Sequence, residues 1–163
     1  MFIEHKATYG QAGAVPDGEY IIPLGVADIK REGKDATIVA YSRMTMYALE
    51  AAKELAEKVQ IDAEVIDLRT LKPMDIGAVA ESVKRTGRLV TVSEGFGMAG
   101  VGPEIVRQLF EYKFADGSCG FDYLDGPPIN LAAADVPPPM SEPLEAASIP
   151  SVERIVAAVK SIV

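Results

Sequence analysis

Reactive side chains are scarce in this sequence: Cys119 is the only cysteine, His5 the only histidine, and tryptophan is absent. A single thiol excludes an internal disulfide and a thiolate metal cluster, and suits a reducing compartment. A single imidazole leaves too few ligands for a zinc site of the usual kinds. A Cys–His dyad would need His5 and Cys119 to meet across most of the chain. Nothing in the sequence suggests that, so a bystander cysteine and a surface or interdomain histidine are the expectation. No apolar run approaches the ~20 residues of a spanning helix. The opening MFIEHKATYG carries an acid at position 4 and no apolar secretion-signal core, so the expectation is an intracellular protein. Basic residues are also in deficit, 16 Lys and Arg against 24 Asp and Glu, for a net charge of −8. That sign repels phosphate backbones and anionic lipid, so neither nucleic acid nor membrane is an expected partner.

What is present is a domain-sized chain of 163 residues, 48% of them hydrophobic. Four β-branched runs, Thr37–Tyr41, Glu64–Leu68, Leu89–Val92 and Ile129–Ala134, have strand length and almost no alternation, as strands covered on both faces should. Helical patterns lie between them. One follows Ser42 as cap and repeats apolar residues from Met44 to Val59. A second is capped by Asp75 and ends before Gly87, a third starts at Gly102 as cap with Pro103 at its first position, and the last begins at Ser151 after Pro150. Alternation at this rhythm predicts βαβ units and a mostly parallel sheet between helices. Residues 8–35 read as a connector, Phe2–Lys6 as a stray strand-like piece, and Asp135–Pro143, with its four prolines, as an extended surface loop.

The stretch SEGFGMAGVGPE, residues 93–104, holds a literal G-x-G-x-x-G at Gly95, Gly97 and Gly100. In a dinucleotide fingerprint the glycines follow the first strand and an acid ends the next one. Here they follow the third strand, and Asp116, Asp122 and Asp125 precede the fourth, so the fingerprint is incomplete. The competing readings are a tight turn that lets a neighbouring chain or domain approach, or a small anion held by loop N–H groups, Gly102 included, and the start of the third helix. Pro103 removes one such donor. Glu94 is the most interesting acid, placed at the sheet edge where α/β proteins carry their sites. Capping the loop or pairing across an interface is its expected role, ahead of acid–base work. No catalytic constellation is complete within the chain.

Read in order, IPLGVADIKREGKDATIVAYSRMTMYALEAAKEL, DAEVIDLRTLKPMD, RLVTVSEGFGMAGVGPEI, FDYLDGPPI, ADVPPP and IPSVERIVAAVKSI resemble the C-terminal domain of the transketolase family. They are most similar to the branch formed by the beta subunit of the thiamine-diphosphate-dependent component of 2-oxo acid dehydrogenase complexes, of the pyruvate and acetoin type. The resemblance implies a three-layer α/β sandwich with a mostly parallel sheet of about five strands over residues 20–163. Residues 1–19 then look like a remnant strand and linker from a preceding pyrimidine-binding domain.

Several functional expectations follow from the resemblance alone. The glycine loop helps build subunit interfaces. Thiamine diphosphate and magnesium belong to the intact family enzyme, held by the preceding domain and an alpha subunit, so no catalytic, cofactor or metal residue is assigned in this chain. The family decarboxylates a 2-oxo acid and acylates a lipoyl arm; this domain serves as a scaffold. Expected partners are an alpha subunit, a second beta subunit and the acyltransferase core, with Val163 the docking candidate for the last. Self-association of the isolated chain, and a cytoplasmic or, in a eukaryote, mitochondrial-matrix location, are expected. The alternatives are a stand-alone small-anion or nucleotide module using Gly95–Gly102, and the equivalent domain of transketolase or deoxyxylulose phosphate synthase. The sequence departs from the family at Pro139-Met140, where Tyr or Phe usually follows the proline, and in the long tract EYKFADGSCGF.

Overall fold

The computed structural model describes residues 1–163. Its strands are β1 (Asp28–Arg31), β2 (Ala36–Ala40), β3 (Ala63–Asp67), β4 (Leu89–Phe96) and β5 (Ile129–Ala133). The helices are α1 (Arg43–Val59), α2 (Ile76–Thr86), α3 (Val101–Glu111), α4 (Glu142–Ser148) and α5 (Val152–Ile162). The strands form one sheet in the order β1-β3-β2-β4-β5. All neighbours are parallel except β1, which runs antiparallel to β3.

Consecutive residues of the central strands face opposite layers, which explains their nearly unbroken apolar sequence. On one face Ala36, Ile38, Ala40, Val65, Val90 and Val92 meet Met44, Ala48 and Leu55 of α1 and Ile155 and Val159 of α5. On the other, Val39, Ile66 and Leu89 meet Val79, Ala80 and Val83 of α2 and Ile105 and Leu109 of α3. Both layers are needed, because every residue of β2 is fully buried. Polar strand residues are answered by helix residues. Thr37 Oγ1 bonds Ser82 Oγ at 2.6 Å and Thr86 Oγ1 at 2.7 Å, and buried Glu64 accepts two 2.8 Å bonds from Arg85.

The sheet confirms the four strands read from apolar runs, and the Asp75 cap and the helix end before Gly87 are as expected, while Ser151 caps the last helix, within one residue of its expected start; Asp75 Oδ1 accepts from Ala78 N at 3.1 Å. Five readings change. Strand β1 lies inside the stretch read as connector, where two ion pairs, Arg31–Asp62 at 2.8 Å and Arg69–Asp28 at 2.6 Å, secure an edge strand that the core hardly covers. Phe2–Lys6 is not a strand; Phe2 and Ile3 are exposed and a short 3-10 turn, Lys6–Thr8, follows His5. Ser42 makes no side-chain cap bond, because φ +56° and ψ −137° take it out of the extended conformation from which a cap reaches the helix. Helix α3 starts earlier, with Gly100 as cap and Pro103 third in the helix, where its missing N–H is still among those without an intrahelical acceptor. Finally, α4 forms within and beyond the proline loop, including Pro143, as a single exposed helix with no buried residue.

Replacing Leu55 by Ala should destabilise the domain by about 2–5 kcal/mol, the usual cost of emptying a packed aliphatic site. Leu144→Ala on exposed α4 should stay within about 0.5 kcal/mol. Urea unfolding of the two variants checks the contrast.

Candidate functional site

Topology singles out one place. From β2 the chain crosses through α1 to β3, while from β4 it crosses through α3, on the other face, to β5. Adjacent strands whose connections diverge leave a crevice at their C-terminal ends, where open α/β sheets take ligands. Here that crevice lies between the end of β2 and the end of β4.

Its charges form a chain. Arg43, at the first turn of α1, places Nη1 3.2 Å from Glu94 Oε1 and 3.5 Å from Glu145 Oε1 of α4, and its Nη2 donates to Tyr47 Oη at 2.8 Å. Glu94 Oε2 is 3.1 Å from His5 Nε2, whose Nδ1 accepts from Ala7 N at 3.1 Å. Partial burial works against the Arg43 charge, but the Tyr47 bond and the Glu94 and Glu145 carboxylates outweigh it and raise its pKa. Burial raises the pKa of the neighbouring Tyr41 hydroxyl. A cavity of about 510 Å³ opens beside these groups, walled by Phe96, Val136, Pro138, Pro139 and Ile149.

Glu94 therefore pairs within its own chain and sits inside β4, which continues through Gly95 to Phe96. The glycines divide into two kinds. A methyl group on Gly100 would overlap the Phe96 carbonyl oxygen; on Gly102 it would overlap Asn130 Oδ1 and crowd Thr91 Oγ1 at 2.8 Å. These two glycines let α3 settle against β4 and β5, a requirement met inside this chain. Gly95 has nothing within 4 Å of an added methyl group, and Gly97 only ordinary contacts with Asn130 and Ala132 at 3.6 Å. The structure does not unite all the residues singled out from the sequence. Val163 follows α5 at the opposite end of the sheet, where Arg88 Nε, just before β4, donates to Ile162 O at 2.5 Å. Cys119 lies in the turn after α3, its N–H bonded to Asp122 Oδ2 at 2.7 Å, whereas the imidazole of His5 contacts Glu94. Sequence reading missed Arg43, Tyr47 and Glu145. The available signal was the strand-to-helix junction at Ser42-Arg43, which was absorbed into the helix pattern.

Residues 25–155 match the family described as "Transketolase, C-terminal domain". The chain belongs to the transketolase C-terminal domain family. Within it, this domain is 45% identical to the "Pyruvate dehydrogenase E1 component subunit beta" of Rhizobium meliloti (strain 1021), over 99% of the chain and 34% of that protein. It is 42% identical to the mitochondrial E1 beta subunit of Caenorhabditis elegans, over 98% of the chain and 45% of that protein. The chain thus spans between about a third and a half of the length of these relatives. Among solved structures it resembles a "Split gene transketolase, inactive beta4 tetramer" with a TM-score of 0.71 and 33% identity, over 91% of the chain and 44% of that one. The family match and this neighbour agree with the five-stranded, mostly parallel α/β sandwich.

Helix α3 of this transketolase C-terminal domain carries an exposed charge cluster. Arg107 donates to Glu104 at 2.8 and 2.7 Å and to Glu111 at 2.5 Å. Bonds from Arg107 and Gln108 hold the Glu104 carboxyl down to about 2. A carboxyl whose folded pKa is depressed favours the fold above its unfolded value, 4.5 for Glu104, and that contribution disappears as pH falls toward 2. An NMR titration should place the Glu104 midpoint near 2 in the parent and higher in Arg107→Gln. Gly102→Ala should destabilise by about 1–3 kcal/mol through overpacking; chemical denaturation measures it, and Gly95→Ala, with open space, is the control.

Proposed function

We propose that this chain is the C-terminal assembly domain of the beta subunit of a pyruvate-type 2-oxo acid dehydrogenase component. The observation that carries the reading is the alignment itself: beta subunits of pyruvate dehydrogenase E1 match 98–99% of the chain at 42–45% identity. In this reading residues 1–19 join a preceding pyrimidine-binding domain to residues 20–163. The nearly complete exposure of Phe2, Ile3 and Val15 supports that, since such side chains favour a covering surface.

The family's thiamine diphosphate and magnesium do not suit the residues at the switch point. Glu94 is engaged by Arg43 and His5, and α3 opens with two N–H donors before Pro103 interrupts them. The reading therefore assigns the cofactor to the preceding domain and an alpha subunit, and gives this chain no chemical step of its own. The chain contributes scaffold: its packed α1–α5 and α2–α3 layers clamp the central strands between them, while Gly95 at the end of β4 and Gly97 just after it leave the surface low enough for close approach by another subunit. The neighbour's description as a beta tetramer supports contact between copies. Docking of a lipoyl acyltransferase at the Val163 end belongs to the same reading. So does an oxidoreductase complex in the bacterial cytoplasm or the mitochondrial matrix, the latter in line with the mitochondrial relatives.

The test is co-purification of the folded, tagged chain with alpha and full-length beta subunits of a pyruvate-type enzyme. Stable retention of either subunit, together with dimers or larger species by light scattering at tens of micromolar, is expected. A folded monomer that retains neither subunit overturns the reading.

A further inference from the structure

Two peripheral segments frame the switch-point crevice, and each is tied to the body of the domain by the same charge chain. The first is the leading segment around His5, whose 3-10 turn has no buried residue. The second is the strap from Asp135 to Ala147, whose neck is closed by the Ala134 N–H bond to Ser148 O at 2.7 Å. Val136, Met140 and Leu144 of the strap are exposed, and α4 contributes nothing to the core. With so little burial, polar ties decide where these segments lie.

Those ties converge on two residues at the crevice, Glu94 of β4 and Arg43 in the first turn of α1. Glu94 receives His5 through Oε2 and Arg43 through Oε1, and the same Arg43 Nη1 is shared with Glu145 of α4. The sequence His5–Glu94–Arg43–Glu145 therefore runs from one segment to the other across the mouth of the cavity, with His5, Glu94, Glu145 and Ser148 among its lining. One nitrogen serves two carboxylates. What strengthens its bond to Glu94 weakens its bond to Glu145.

We propose that this chain is a coupling device: the leading segment and the strap open and close the crevice together, through Glu94 and Arg43. Loss of His5 frees Glu94 to draw Arg43 away from Glu145, so releasing the leading segment loosens the strap. Whatever fixes residues 1–9 in an assembly thereby fixes residues 135–148 and the access to the apolar wall of Phe96, Val136 and Ile149. Arg43 and Glu94 are positioning residues in this device.

Amide–water exchange read by NMR on the 163-residue chain tests it. Glu94→Gln should speed exchange at the Ala7 amide and, by leaving Arg43 to Glu145, slow it at the Glu145 amide, each by about two- to fivefold, the factor a surface ion pair supplies, with β2 and β4 core amides unchanged. His5→Ala, which lies outside the core, should speed exchange at the Glu145 and Ala134 amides as well as at Ala7. The strap response to His5→Ala is the readout that local fraying of the leading segment would not move. Strap amides at parent rates in His5→Ala, or Glu94→Gln affecting one segment alone, overturn the proposal. If Glu94→Gln disturbs the core, His5→Ala decides the matter.

Discussion

Everything in this domain depends on burying β2 from both sides. Its five residues have no exposure, and neither face could be left to water without stranding Ile38 and Ala40 or Val39. Two helical layers are thus obligatory, and right-handed crossovers allow only certain routes between them. Going from β2 to β3 through α1, then back across β2 to β4 through α2, forces the divergence of β2 and β4. The crevice is the geometric result of covering one central strand twice.

The crevice also gathers charges at the ends of inner strands. Arg43 and Glu94 lie where the strands end and burial relaxes, so both charges remain partly solvated while paired. Pairs of this kind contribute about 0–1 kcal/mol each, too little to decide the fold. Their importance is positional, because the leading segment and α4 have almost nothing else to hold them. The core supplies stability and the rim supplies arrangement.

The same division separates the glycines of the motif. Gly100 and Gly102 are required by the closeness of α3 to Phe96, Thr91 and Asn130, whereas Gly95 faces open space and Gly97 has only ordinary contacts within this chain. A spacing that imitates a nucleotide fingerprint thus joins one intramolecular packing position, Gly100, to two glycines, Gly95 and Gly97, that this chain does not crowd. The family itself was legible in blocks such as EVIDLRTL and DYLD, whose order along the chain carried more information than the G-x-G-x-x-G alone.

The sequence by itself determined the sheet core, the helix periodicities, the cap at Asp75 and the helix stop before Gly87, because those depend on burial and hydrogen bonding a few residues apart. It did not determine β1, since Asp28–Arg31 becomes a strand only when β3 offers an edge and Asp62 and Arg69 answer its charges. Nor did it reveal the site's partners: His5, Arg43, Glu94 and Glu145 are far apart in the chain and carry no shared spacing. Only the return of β4 beside β2, with α4 folded over their ends, brings them together. Local patterns encode what a segment must bury, while contacts between distant charges exist only after the crossovers have placed them.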